Sequence, residues 1–152
     1  MKPCDAPAEY LIVTHDKFEF RIPAVDYVFN ENDVWARLAD GVARVGISDY
    51  MQQKLTDISC FEPPKVGAAV EQFGEAGSLE SAKAVFEVVS PVSGTVVAVN
   101  SAVLDNPGLI NEDPYGAGWL AEVRLTAWPQ DRELLLDSSA YAETVRRKAA
   151  EE

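Results

Sequence analysis

The sequence predicts a mainly β domain, an antiparallel sandwich or flattened barrel with short helices and a C-terminal helix. Three observations predict it. From Ile58 to Val99 turn signals recur every few residues, at Pro63-Pro64, Val66-Gly67, Phe73-Gly74 and Ala76-Gly77, which leaves room only for short strands. Two β-branched runs, Val85-Phe86-Glu87-Val88-Val89 and Thr95-Val96-Val97-Ala98-Val99, flank the turn Ser90-Pro91-Val92-Ser93-Gly94. Val34-Trp35-Ala36-Arg37-Leu38 and Val42-Ala43-Arg44-Val45-Gly46-Ile47 are joined through Asp40-Gly41, the signature of a tight hairpin.

The elements follow in order. Residues 1–26 read as an N-terminal extension in which Glu19-Phe20-Arg21-Ile22 alternates polar and apolar, an edge strand ending before Pro23. The Asp40-Gly41 hairpin opens the main domain, residues 27–130. Ser48-Asp49 precedes the helix formers Tyr50–Leu55 and supplies an N-cap. After the strand-rich centre, Asn100–Gly118 reads as one long loop rich in Asp, Asn, Pro and Gly, and Trp119–Leu125 as a further strand. Residues 131–152 are amphipathic; Leu134, Leu135, Tyr141 and Val145 mark the apolar face of a helix whose far end frays into solvent.

Composition narrows the function. At 152 residues the chain fits one domain, and 47% hydrophobic with 25% charged residues is ordinary for a folded one. A formal net charge of -12 repels nucleic acid and anionic membranes, so neither is expected as a partner. The N-terminus has no apolar run long enough for a signal peptide or membrane span, so a cytoplasmic location is expected. The single histidine, His15, removes most metal sites and all but one possible His-based catalytic arrangement; no metal is expected. No GxGxxG loop is present. Two cysteines are too few for a disulfide framework. Cys60, in an apolar stretch, reads as a buried thiol, and Cys4 as a residue of a mobile end, with an exposed redox thiol as the alternative. The chain is therefore not expected to be an enzyme.

Chemistry concentrates in Gly77-Ser78-Leu79-Glu80-Ser81-Ala82-Lys83-Ala84-Val85. One lysine stands between small residues at a turn between two strand runs, where a modifying enzyme can approach its ammonium and a rigid hairpin holds it in place. Read from its residues alone, an ordinary exposed lysine is the stronger reading. The wording of the segment is more specific. Glu80-Ser81-Ala82-Lys83-Ala84 resembles the lipoylation motif E-S-V-K-A of glycine-cleavage H proteins, and Ser90-Pro91-Val92-Ser93-Gly94 the turn that follows it there. Gly46-Ile47-Ser48-Asp49-Tyr50-Met51-Gln52, Asn106-Pro107-Gly108-Leu109-Ile110-Asn111 and Asp113-Pro114-Tyr115-Gly116-Ala117-Gly118-Trp119 resemble three further segments of the family, in the same order. Biotinyl domains share the hairpin but carry M-K-M where this chain has Ala82-Lys83-Ala84.

The resemblance implies a lipoyl-domain fold, a barrel-sandwich hybrid, with lipoic acid in amide linkage to Lys83, and Glu80, Ser81, Ala82 and Ala84 as its immediate setting. It implies a lipoate-attaching enzyme, a dihydrolipoamide dehydrogenase, a glycine decarboxylase and an aminomethyltransferase as partners. The chain departs from the family in two places, its N-terminal extension and the start of one strand. Where H proteins begin a strand with H-E-W, it has Asp33-Val34-Trp35. In the family that glutamate helps hold the ammonium of the methylamine-loaded arm in a cleft, assisted by an aspartate whose place here is taken by Glu87. Loss of one partner of such a contact costs about 1.5–3 kcal/mol. Asp33, Val34 and Glu87 are thus the cleft candidates. With the N-terminal extension, this departure favours the lipoate-binding branch that serves heterodisulfide-reductase-like complexes in sulfur oxidation. The alternatives are a glycine-cleavage carrier of an aminomethyl group and an unmodified H-like interaction scaffold.

Overall fold

The computed structural model describes Pro7 and residues 9–151; Cys4 lies outside the described residues. Its strands and helices run β1 (Tyr10–His15), β2 (Phe18–Pro23), β3 (Val28–Phe29), β4 (Val34–Ala39), β5 (Val42–Ile47), α1 (Asp49–Leu55) and β6 (Ile58–Glu62). Then come β7 (Ala69–Val70), β8 (Glu75–Ser81), β9 (Val85–Val89), β10 (Gly94–Val99), α2 (Ser101–Asp105) and α3 (Leu109–Glu112). β11 (Ala121–Leu125), α4 (Trp128–Arg132) and α5 (Ser138–Ala150) complete the fold. The domain is mainly β, and the strand pairings among the described residues are antiparallel.

A six-stranded sheet, ordered β3-β4-β5-β11-β10-β7, and a three-stranded sheet, β6-β8-β9, share one aliphatic core. Val45, Ile47, Val96 and Val123 of the large sheet belong to it with Ile58, Phe61, Leu79 and Val88 of the small one. β4 divides this core from a second. Side chains alternate along a strand, so Val34 and Ala36 enter the aliphatic core while Trp35 enters an aromatic one. There Trp35 joins Phe20 and Ile22 of β2, Tyr27, Phe29, Tyr50, Tyr115, and Tyr141 and Val145 of α5. The indole N–H is shared between the carbonyls of Ile47 (3.0 Å) and Pro114 (3.1 Å), so this buried polar group is satisfied. Gly46 faces Trp35 in the ladder; a Cβ there would lie 2.5 Å from the indole ring, which explains the missing side chain.

The β4–β5 hairpin and α1 form where the sequence places them. Ser48 caps α1 by accepting from the Met51 amide, with Asp49 in the first turn and Lys54 in the last, as the helix dipole favours.

Five expectations change. β1 pairs with β2 from Tyr10↔Pro23 to His15↔Phe18, so the extension is a hairpin and its second strand runs through Pro23, a terminal position where a missing N–H breaks no inner ladder. The Asn100–Gly118 stretch is not one loop: Asn100 caps α2 by accepting from the Ala102 amide, and α2 and α3 bury Val103 and Ile110. Helices of one turn lack a readable period, so the breakers around them dominate the sequence signal. The last strand begins at Ala121, and Trp119 instead lies under the Arg44 guanidinium, 4.1 Å from the ring centroid. Leu134 and Leu135 fall between α4 and α5, which starts after its cap Asp137; the far end of α5 is docked, with Ala149 buried in the aromatic core. Cys60 is half-buried rather than buried: it stands opposite exposed Glu80 in the ladder, while its neighbour Phe61 takes the inward position.

Candidate functional site

The β8–β9 hairpin presents Lys83. Leu79, fully buried, pairs with half-buried Phe86 across the ladder, and both pack on the aliphatic core, which fixes the base of the hairpin. Gly77 lies at a ladder irregularity between Glu75 and Ser78 with φ +95°, and a Cβ there would meet the Glu62 carbonyl at 2.5 Å. Beyond this point the strands close on a turn built by Ser81. Its Oγ accepts from the amides of Lys83 and Ala84, both at 3.2 Å, while its own amide donates to the Ala84 carbonyl at 2.9 Å. Ser81 therefore sets the tip, and Ala82 and Ala84 leave it bare around the lysine stem. Lys83 is exposed and forms no ion pair among the described residues. Glu80, exposed on β8, is the nearest acidic residue along the chain.

The neighbouring Ser90–Gly94 turn is equally well tied. The Ser90 hydroxyl donates to the Val92 carbonyl at 2.6 Å, and the Ser93 amide donates to buried Asp131 at 2.6 Å. The Gln72 side-chain amide donates to the carbonyls of Pro91 and Asp131. This clamp holds the return from β9 to β10 and so backs the lysine hairpin from below. Asp131 was invisible in the sequence, where it is one acid in a charged run.

Beside Lys83 lies a groove of about 220 Å³. β1–β2 contributes His15, Asp16, Phe18 and Phe20, and α1 contributes Tyr50, Gln53 and Lys54; Ala149 of α5 and Lys83 complete it. The cleft candidates do not line it. Val34 has 0% exposure and packs in the aliphatic core. Glu87 stands exposed on β9, opposite Ser78. Asp33, 3% exposed with φ +69°, is held by Lys148 at 3.1 Å and by the Tyr141 hydroxyl at 2.7 Å. The same hydroxyl lies 2.7 Å from Ser48 Oγ; with only one proton to give, it donates to the carboxylate and accepts from the serine. Burial pushes the Asp33 carboxyl above its ordinary range, against the opposing pull of the Lys148 ammonium and the Tyr141 hydrogen bond. Burial also raises Tyr141 well above the usual phenol value. Asp33 thus joins α5 to the start of α1 and has its charge already engaged. Tyr141, central to this network, carries no sequence signal beyond its apolar helical position.

Comparison with known proteins decides what this hairpin belongs to. The profile of the glycine cleavage H-protein family matches residues 26–148. The chain belongs to the glycine cleavage H-protein family. It is 43% identical over 123 residues to a probable glycine cleavage system H protein of Aeropyrum pernix, covering 81% of this chain and 85% of that one. It is 44% identical over 128 residues to the glycine cleavage system H protein of Marinobacter nauticus, covering 84% and 95%. The crystal structure of a glycine cleavage system H protein from Mycobacterium marinum superposes with a TM-score of 0.71 at 35% identity, over 80% of this chain and 97% of that one. Glycine cleavage H proteins are carriers rather than catalysts, and their cofactor is lipoic acid joined to a lysine. No helix among the described residues is long and apolar enough to cross a membrane.

Proposed function

We propose that this protein is the lipoyl carrier of a glycine cleavage system, with the lipoyl group in amide linkage to Lys83. One observation carries the reading: the lysine of the Glu80–Ala84 motif stands exposed on a rigid tip, between two alanines, on a turn fixed by the Ser81 hydroxyl. The attached dithiolane accepts and delivers electrons or a carbon fragment. The chain's own part is positional. Ser81 orients the backbone of the tip, Ala82 and Ala84 leave the stem unhindered, and Leu79 with Phe86 holds the hairpin against the load of a docking enzyme. Glu80 marks the site for the attaching enzyme. Partners of this reading are a lipoate-attaching enzyme, dihydrolipoamide dehydrogenase, glycine decarboxylase and aminomethyltransferase, in the cytoplasm.

A second reading keeps the arm and changes the cargo to sulfur intermediates handed to a heterodisulfide-reductase-like complex. One observation favours it: Val34 stands where the family has glutamate, and the nearest alternative, Asp33, is engaged by Lys148. The relatives named above speak for glycine cleavage. Glycine–bicarbonate exchange with a glycine decarboxylase separates the two. Rates matching a genuine H protein are expected under the first reading; exchange absent from fully lipoylated protein sinks it and leaves the second. If intact mass shows no modification in a lipoylation-competent host, both fail and the chain is an unmodified interaction scaffold.

A further inference from the structure

The β1–β2 hairpin lies outside the residues that the family profile matches, which begin at 26, yet it forms one wall of the groove that Lys83 lines. Its tip is built for exposure to something apolar. Phe18 is 45% exposed and stacks on Phe20 with centroids 6.1 Å apart; Phe20 meets Tyr50 edge-on at 5.1 Å. Phe20 and Tyr50 are buried, so Phe18 is the exposed ring of this aromatic stack beside the lysine, while Asp16, with His15 3.6 Å away, and Lys54 supply polar groups to the same groove.

The unmodified Lys83 ammonium borders a groove that already holds the Asp16 carboxylate and the Lys54 ammonium, and cations lie over its rings, Lys17 over Phe18 at 5.7 Å and Lys54 over Tyr50 at 5.6 Å. Acylation of Lys83 removes its ammonium and adds an apolar chain ending in two sulfurs. Sulfur packs favourably against aromatic edges, and an acyl chain gains by leaving water.

We propose that the β1–β2 hairpin is a resting wall for the lipoyl arm, with the dithiolane seated against Phe18, Phe20 and Tyr50 and shielded there between visits to partner enzymes. The inference rests on lipoylation of Lys83, and its test separates the two. Protein is first prepared with and without lipoate and the modification located by peptide mass spectrometry; lipoyl absent from Lys83 refutes the carrier reading itself. On protein confirmed as modified, two measurements follow. Backbone amide resonances are compared between unmodified and lipoylated protein, and shifts are expected at residues 15–20 and 50–54 as well as around Lys83. The arm is then reduced and its alkylation by iodoacetamide followed on the Lys83 peptide, so that Cys4 and Cys60 do not interfere. Phe18→Ser is expected to speed alkylation roughly two- to tenfold, the range a sulfur–aromatic contact supplies, while Phe73→Ser, at another exposed phenylalanine that does not line the groove, leaves the rate unchanged. With lipoyl confirmed on Lys83, the absence of hairpin shifts, or an unchanged rate in Phe18→Ser, overturns the proposal.

Discussion

Two hairpins flank the groove, and they are held by opposite means. β8–β9 is anchored in the aliphatic core through Leu79 and Phe86, closed by one serine hydroxyl, and bare at its tip except for Lys83. β1–β2 is anchored in the aromatic core through Val13, Phe20 and Ile22, and laced to the domain by polar contacts. The Tyr115 hydroxyl donates to the Arg21 carbonyl at 2.6 Å, the Arg21 amide donates to Asp49 at 2.9 Å, and Ser138 donates to the Pro23 carbonyl. The first hairpin presents a flexible side chain from a stiff base. The second brings large side chains into place by tying its own backbone to α1, α5 and the Tyr115 segment. A presenting element needs small residues and a fixed turn; a receiving one needs bulk and many ties.

The largest effect expected on the presenting hairpin comes from Lys83→Arg, which keeps the charge and removes the acylable amine. Lipoylation should disappear entirely while the melting temperature stays put, because an exposed tip residue contributes little packing. Trp35→Ala attacks the other side. Removing a fully buried indole from the aromatic core should cost about 3–5 kcal/mol, measured by denaturant unfolding. Hydrogen exchange should accelerate more in β1–β2 and α5 than in β8–β9; equal acceleration would mean that the two hairpins do not depend on separate cores.

Asp33→Asn gives a smaller, pH-dependent effect. Because the folded-state carboxyl is raised, native protein binds the proton more tightly than unfolded chain. Asp33 therefore favours folding below the ordinary carboxylate range and loses that contribution as pH rises through its raised value. Asparagine keeps an acceptor for Tyr141 and tolerates the positive φ. The difference in stability between wild type and Asp33→Asn should consequently shift against wild type as pH rises through that window, read from thermal melts across the acidic range. A shift in the opposite sense would mean that Lys148 and Tyr141 outweigh burial. The smallest effect is reserved for Glu80→Gln, exposed on β8: slower lipoylation with an unchanged melting temperature. An unchanged modification rate would remove Glu80 from recognition.

The presenting hairpin was legible in the sequence, and of the receiving one only the second strand was, for a physical reason. Lys83, Ser81 and the glycine and proline turns around them act through local backbone chemistry, and local chemistry is written in adjacent residues. Tyr10–His15 follows Pro7 and is rich in β formers, but a lone β-prone run does not show what it pairs with; its partner β2 and its packing beside α5 come from the fold. Val34 and Asp33 show the same limit from another side. Their identities were plain, but that one would be buried in the aliphatic core and the other held by Lys148 and Tyr141 depends on partners more than 100 residues away along the chain, in the case of Asp33. The mainly β class followed from turn spacing. The two helices within Asn100–Gly118 did not, since each is about one turn long and is set by Asn100 and by burial of Val103 and Ile110.

The central claim is that Lys83 carries the lipoyl group, and peptide mass spectrometry after expression with lipoate and an attaching enzyme tests it most directly. Acylation removes the lysine charge that trypsin needs. The account predicts a peptide running uncleaved through Lys83, heavier by one lipoyl group, and fragment ions that place the added mass on that residue. Lipoyl found on a different lysine, or a Lys83 peptide that remains cleaved and unmodified under those conditions, would contradict it.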